Sequence, residues 1–376
     1  VDGSQEEVVQ PPTPPPTHQG IKIRNSYNEV VDYYWWNPTT KEGQLQGRIR
    51  PYGVTATNSY IGHIFYLTKH KESSELWRFQ VTRDENLYIL PNTENPDDPF
   101  YQKFLAEQQF MREYKQRTGY PWLAHYPRDP PILPMWPADH VGQIHTVRSN
   151  QSYWHCFPDD EHDEEAMRQC RDSEPIELEL KVVSLEPRVF TIQNTLSEEE
   201  ADFIVNMAAD RLRRSRAGQD GGMVSNTRTS FNTWIGRKHH YFFDTLYRRA
   251  ADLLGMDESL LWPNKNVEEL QVLHYSVGQE YTAHHDFGAS GRPNQRMITL
   301  LFYLNNQSSA DAGGETKFPK ADHGRGVALH PGKGNSVLFY SMLEDGNADD
   351  LSLHAALPVK EGEKWLCNFW VWDPHR

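Results

Sequence analysis

The residues ELQVLHYSVGQEYTAHHDFG (269–288) decide how the larger part of this chain is read. An alternating apolar run, a glycine-bearing turn and a second short run ending in two histidines and an aspartate form the pattern of neighbouring strands. Side chains two apart on a strand share a face, so His284 and Asp286 aim together while His285 faces away. Working outward, MITLLFYLN (297–305), SVLFY (336–340) and KWLCNFWVW (364–372) continue the succession of strands, with Gly-rich turns between them. That order favours a barrel or jelly roll over a parallel sheet. Upstream, IELELKVVS (176–184) alternates as a strand. LSEEEADFIVNMAADRL (196–212) predicts a helix capped by Ser197, with Glu200 as the capping-box partner. Residues 239–254 suggest another helix.

The first part of the chain has a different texture. Residues 1–19 are polar and Pro-rich (PPTPPP at 11–16), a solvated or polyproline II tail. From 20 to 95, short runs rich in β-branched and aromatic residues (IKIRN, EVVDYYWW, NSYIGHIFYLT, ELWRFQV, NLYIL) alternate with turn residues, as in a small β-sandwich. Residues 96–175 read as a connector. It opens with a helix over 98–117, continues through the Pro-dense strap PRDPPILPMWP (127–137), and includes the acidic stretch DDEHDEE (159–165). That stretch lacks the glycine and ligand spacing of a calcium loop and reads as a solvated loop. Residues 176–376 make the last domain. The fold class is therefore mainly β with helices, an N-terminal sandwich followed by a jelly roll with supporting helices.

Composition narrows the function. The 376 residues carry 38 Lys and Arg against 52 Asp and Glu, a net charge of −14, and show no dense basic cluster, which argues against nucleic acid as partner. No apolar run is long enough for a membrane-spanning helix. Aromatics reach 12% with 11 Trp, which excludes a disordered chain and points to cores or grooves built from large rings. Of three cysteines, Cys156 and Cys170 bracket the acidic loop and can pair, while Cys367 reads as a buried free thiol. The chain opens on Val rather than Met, consistent with a removed leader or tag.

Two imidazoles and a carboxylate on one side of a metal, with open positions opposite, suit non-haem Fe(II); the scarcity of thiols argues against structural zinc. His284 and Asp286 supply two of the three. From spacing alone the third ligand is open among His323, His330, His354 and His375.

From about Pro187 to Trp372 the chain resembles the catalytic domain of Fe(II)/2-oxoglutarate-dependent prolyl 4-hydroxylases. The resemblance is carried by PRVF, LSEEEAD, NTRTS, LQVLHYSVGQEYTAHHDF, Gln295–Arg296, FYLN, GGETKFP and SLHAALPVKEGEKW. It implies a double-stranded β-helix (jelly roll) and a procollagen-proline dioxygenase-like activity. That activity uses Fe(II), 2-oxoglutarate and O₂, releases succinate and CO₂, and has ascorbate as reductant. It further implies His284, Asp286 and His354 as iron ligands and no catalytic residue beyond them. Lys364 is implied as the cation for the distal carboxylate of 2-oxoglutarate, with Tyr275 and Tyr303 beside it and Thr316 supporting the loop. Strand alternation agrees, placing Lys364, Leu366, Asn368 and Trp370 on one face. Arg228, Tyr281, Arg296 and Trp370 match positions lining the groove for a proline-rich peptide or protein substrate. The resemblance favours the endoplasmic reticulum or secretory pathway as compartment. The alternative is a 2-oxoglutarate oxygenase with another substrate.

Residues 21–91 resemble the β-domain of the von Hippel–Lindau protein, through IKIRNSYNEVVDYYWWN and NSYIGHIFYLTKHKESSELWRFQVTRDENLYILP, with the S-Y-x-G-H core at 59–63. That family recognises hydroxyproline. Trp35, Ser59 and His63 match pocket positions, Phe65 stands where the family has a Trp, and the pocket tyrosine has no clear counterpart near Leu45 and Gln46. The resemblance implies a hydroxyproline-peptide partner for this domain; the competing expectation is a purely structural or assembly module.

Overall fold

The computed structural model describes residues 18–159, 163–215, 228–262, 266–288 and 295–374. Most of the Pro-rich tail (1–17), the centre of the acidic stretch (160–162) and His375 lie outside the described residues. The described residues fall into two compact units, one running through Trp122 and the other from Leu123.

The first unit holds β1 (His18–Arg24), β2 (Val31–Asn37), β3 (Glu42–Ile49), β4 (Val54–Tyr60), β5 (Ile64–Lys69), β6 (Glu75–Gln80), β7 (Leu87–Ile89) and α1 (Pro99–Thr118). They build two sheets, β4-β1-β7 and β3-β2-β5-β6. Ile21, Ile23, Val31, Tyr33, Phe65, Leu67 and Phe79 form the core between them, each alternating with an outward neighbour. α1 starts where the Asp98 side chain accepts from the backbone N–H of Phe100 and Tyr101, and it stops at Gly119 in the left-handed region (φ 81°).

The second unit contains β8 (Ile144–Ser149), α2 (Glu164–Gln169), β9 (Ile176–Ser184), β10 (Val189–Ile192), α3 (Glu198–Ala209), β11 (Arg213–Arg214), β12 (Phe231–Ile235) and α4 (Tyr241–Leu254). After these come β13 (Leu270–Ser276), β14 (Tyr281–His284), β15 (Arg296–Tyr303), β16 (Thr316–Phe318), β17 (Val327–Leu329), β18 (Ser336–Tyr340), β19 (His354–Ala356) and β20 (Glu363–Trp372). The last eight strands are shared between two sheets. β13-β20-β15-β18 sit side by side within a nine-stranded sheet, and β14-β19-β16-β17 make the second. Counted one to eight, the orders are 1-8-3-6 and 2-7-4-5, all antiparallel, which is the winding of a jelly roll.

Supporting elements behave as the sequence predicts. β9 alternates buried and exposed residues along its length. α3 carries the full capping box of Ser197 and Glu200. Glu200 is buried and receives a forked pair of bonds from Arg249 of α4 at 2.7 and 2.8 Å. Cys156 and Cys170 are joined in a disulfide, and Cys367 is a buried free thiol. Two segments read as connector have structure of their own. β8 adds an edge strand beside β9. The end of the acidic stretch begins α2, with Asp163 as cap and Glu165 paired to Arg168, so it is helical there rather than loop.

Candidate metal and cosubstrate site

His284 ends β14 and pairs in register with His354, the first residue of β19. Cross-strand pairing therefore brings together two histidines seventy residues apart in sequence, and Asp286 is the second residue after β14. The three side chains offer ligand atoms that all lie within 4.8 Å of one another. Asp286 Oδ1 is 3.9 Å from His284 Nε2, and Asp286 Oδ2 is 3.7 Å from His354 Nε2.

The surroundings fix which atoms are offered. The Nδ1 of His284 donates to the Thr282 carbonyl at 2.8 Å, and that of His354 to the Ser352 carbonyl at 3.0 Å. Both bonds hold the ring so that Nε2 presents its lone pair to the shared space. Asp286 Oδ2 accepts from Thr299 Oγ1 at 2.6 Å and from Trp370 Nε1 at 3.0 Å, which orients the carboxylate. Burial, then the neighbouring His354, holds His284 well below the ordinary histidine value. Burial works to raise the Asp286 carboxyl, but His354, His284 and Arg296 outweigh it and the net shift is downward. A neutral imidazole and an ionised carboxylate are the forms that bind a divalent metal. The two-nitrogen, one-carboxylate set fits Fe(II).

The cluster lines a cavity that is also lined by Tyr275, Tyr281, Thr316, Lys364 and Asn368. Lys364 lies opposite Tyr275 in the β13–β20 register and is 2% exposed. Its ammonium donates to Thr316 Oγ1 at 3.3 Å and lies 5.7 and 5.5 Å from the Tyr275 and Tyr303 ring centres. Tyr303 donates its hydroxyl to the same Thr316 oxygen at 2.7 Å. Burial pushes Lys364 down to about 7, with Glu315 pulling the other way. No acidic side chain among the described residues forms an ion pair with it. A buried cation beside a neutral hydroxyl fits the carboxylate of a small dicarboxylic cosubstrate.

Of the expected groove residues, Tyr281 lines the same cavity, and Arg228, Arg296 and Trp370 are connected to it through ring and side-chain contacts. The Tyr281 ring stacks on His284 with centres 3.5 Å apart, and the Arg228 guanidinium lies 4.8 Å over Tyr281. Arg296 sits 3.7 Å over Trp370 and is held by Glu268 at 2.5 and 2.9 Å. Of the other candidate ligands, His330 packs against the Tyr303 ring and His323 sits on an exposed turn; His285, expected to face away, turns to the Asp350 carbonyl. Sequence reasoning missed Thr299 and Gln271. Gln271 accepts from both Arg228 and Asn368. The period-two pattern of β13 and β15 marked their faces, but nothing in the text marked a polar residue there as a support for the site.

In the first unit, Ser59 Oγ and His63 Nδ1 are 3.1 Å apart and the Trp35 ring centre is 5.3 Å from that of His63. Trp35 Nε1 is buried and meets no acceptor among the described residues. Phe65 lies opposite Trp35 across the strand pair, but its own ring is buried in the sandwich core against Phe79.

Comparison with known proteins agrees with this chemistry. The profile of the 2OG-Fe(II) oxygenase superfamily matches residues 270–372. Prolyl 4-hydroxylase 2 of Arabidopsis thaliana is 36% identical over 216 residues, spanning 51% of this chain and 69% of that protein. Prolyl 4-hydroxylase subunit alpha-1 of Gallus gallus is 32% identical over 196 residues, 49% of this chain and 36% of that one. Among solved structures, the viral collagen prolyl hydroxylase of Paramecium bursaria Chlorella virus-1 is 29% identical, with a TM-score of 0.40 over 49% of this chain and 95% of that one.

Proposed function

Because this chain belongs to the prolyl 4-hydroxylase family of 2-oxoglutarate and Fe(II)-dependent oxygenases, we propose that its second unit hydroxylates C4 of proline in a proline-rich peptide or protein. The observation that carries this reading is the His284–Asp286–His354 cluster sharing one cavity with the buried Lys364. His284 Nε2, Asp286 and His354 Nε2 are the ligands that hold the iron. Fe(II), with 2-oxoglutarate and O₂, supplies the oxidising chemistry that exchanges a proline C–H hydrogen for hydroxyl as the cosubstrate becomes succinate and CO₂. Lys364, with Thr316 and Tyr303, binds the far carboxylate of the cosubstrate, and Tyr275 closes the wall behind it. Tyr281, Arg228, Arg296 and Trp370 orient the peptide. Trp370 has a second task, since its indole N–H holds Asp286. The apolar walls from Leu273, Leu301 and Leu366 exclude water from the reacting space. Ascorbate is the reductant that keeps the enzyme active between turnovers.

The reading also takes in the first unit as a von Hippel–Lindau-like module for hydroxyproline. Ser59 and His63 offer the hydroxyl and ring nitrogen that an added 4-hydroxyl needs, and Trp35 offers a ring face with an N–H that meets no acceptor among the described residues. The main assignment is tested by succinate release from 2-oxoglutarate with and without a proline-rich peptide. Peptide-stimulated release that disappears in His354→Ala supports it; release unchanged by that substitution refutes it.

A further inference from the structure

β13 and β20 set three side-chain pairs in a row across their ladder: Tyr275 with Lys364, Leu273 with Leu366, and Gln271 with Asn368. The first two pairs and Asn368 line the cavity, and Gln271 continues the same face of β13, buried at 3% exposure. The first pair belongs to the cosubstrate end and the second is an apolar wall. The third is polar and buried, so it needs partners. The Gln271 side-chain oxygen accepts from Asn368 Nδ2 at 3.1 Å and from Arg228 Nη2 at 3.2 Å. Arg228 is tied to the other sheet as well. Its backbone bridges to Tyr281 of β14, its guanidinium lies 4.8 Å from the Tyr281 ring centre, and that ring stacks on His284. The next residue clamps the same place. Thr229 donates its N–H and hydroxyl to the Glu280 carbonyl at 3.0 and 3.1 Å, and its hydroxyl accepts the Glu280 N–H at 2.8 Å. The backbone at Arg228 is thus fixed to β14 while its side chain is fixed to β13, and one oxygen of Gln271 links the two sheets of the jelly roll.

We propose that Gln271 is a positioning residue that couples the peptide groove to the reacting space: from one acceptor it aims Arg228 at the peptide and holds Asn368 in the cavity wall. It acts through these two residues and makes no contact of its own with the substrate. Without the acceptor, Arg228 keeps its place over the Tyr281 ring but loses the bond that sets the direction of its donors. The cosubstrate end lies two pairs away and has its own contacts through Thr316 and Tyr303. The fault expected from losing Gln271 is therefore a peptide held out of line, with 2-oxoglutarate consumed while the target proline is missed. This inference rests on the hydroxylase reading.

The test compares Gln271→Met, which keeps the length of the side chain and removes the acceptor, with Gln271→Glu, which keeps an acceptor for both donors. On the metal-free chain, a labelled oligoproline peptide read by fluorescence anisotropy binds Gln271→Met about tenfold more weakly than the native chain, the size of one hydrogen bond to a charged donor. On the iron-loaded chain with 2-oxoglutarate, ascorbate and the same peptide unlabelled, hydroxyproline formed per succinate falls about tenfold in Gln271→Met. Gln271→Glu restores both readouts. Asn368→Leu removes one of the two bonds to the Gln271 oxygen and lowers the product ratio in the same way, so it decides the matter if Gln271→Met fails to fold. Native peptide affinity and a native product ratio in Gln271→Met overturn the proposal, as does a native ratio in Asn368→Leu. Failure of Gln271→Glu to restore them also overturns it, because the position then needs the amide for another reason. A native chain that forms no hydroxyproline is a different result: it removes the hydroxylase reading itself, and this inference with it, before any variant is compared.

Discussion

His284 and His354 each donate Nδ1 to the carbonyl two residues earlier, so local backbone aims both metal-facing nitrogens. The loss of either ring, or of Asp286, removes one of the three proposed ligands. His284→Ala, Asp286→Ala and His354→Ala are each expected to abolish iron retention, measured by metal analysis after gel filtration, together with turnover. Lys364→Ala separates the two halves of the site. A charge-assisted bond to a carboxylate is worth about 1.5–3 kcal/mol, so 2-oxoglutarate affinity falls about ten- to a hundredfold while iron retention holds. A parallel loss of iron would make the lysine structural. Its titration gives a signed expectation. Burial brings free Lys364 down to about 7, and a bound carboxylate favours the ammonium and raises that value. Affinity is therefore flat below pH 7 and weakens above it, until the bound-state value is reached. Binding near pH 8 takes up a proton. Calorimetry in buffers of different ionisation enthalpy reads this directly, and proton release on binding contradicts it. At this scale the sequence showed which residue types were available, and H-x-D spacing put His284 and Asp286 together. It could not choose His354, because the cross-strand pairing that selects it is a long-range contact; the family resemblance made that choice.

Elements differ in how openly the sequence declares them. β9, β13, β15, β18 and β20 are strongly apolar or alternating and were legible from their texts. β3 and β8 are polar and largely exposed, so periodicity had little to mark them. α3 was legible for another reason, because its capping box is a local signal that needs no partner. What the text concealed is how that cap is anchored: Glu200 also meets the buried guanidinium of Arg249 and accepts from the Trp154 backbone N–H. Two substitutions should therefore differ. Ser197→Ala removes a cap hydrogen bond and is expected to cost about 1 kcal/mol. Glu200→Ala strands a buried Arg249 and is expected to cost about 3–5 kcal/mol. Urea unfolding measures both, and a Glu200→Ala cost no larger than that of Ser197→Ala would show that the pair is replaceable by water.

At the scale of the molecule, one chain joins a hydroxylase unit to a sandwich for which hydroxyproline recognition is proposed. A site that hydrogen-bonds a hydroxyl rejects the ligand lacking it, since its polar groups are left unpaired. Loss of such a bond costs about 1–3 kcal/mol, so a 4-hydroxyproline peptide is expected to bind about five- to 150-fold more tightly than its proline form. Calorimetry on the 376-residue chain carrying His354→Ala checks this, and Ser59→Ala should erase the preference. A preference that survives Ser59→Ala would locate recognition elsewhere.

The central claim is the reaction itself, and mass spectrometry of proline-rich peptides incubated with the protein, Fe(II), 2-oxoglutarate and O₂ tests it most directly. The account predicts one added oxygen, placed by fragmentation on proline and shown by hydrolysis to be 4-hydroxyproline. The product should appear in step with succinate and be absent with Asp286→Ala. Oxygen added to another residue type, or succinate formed while every proline stays unmodified, would contradict it.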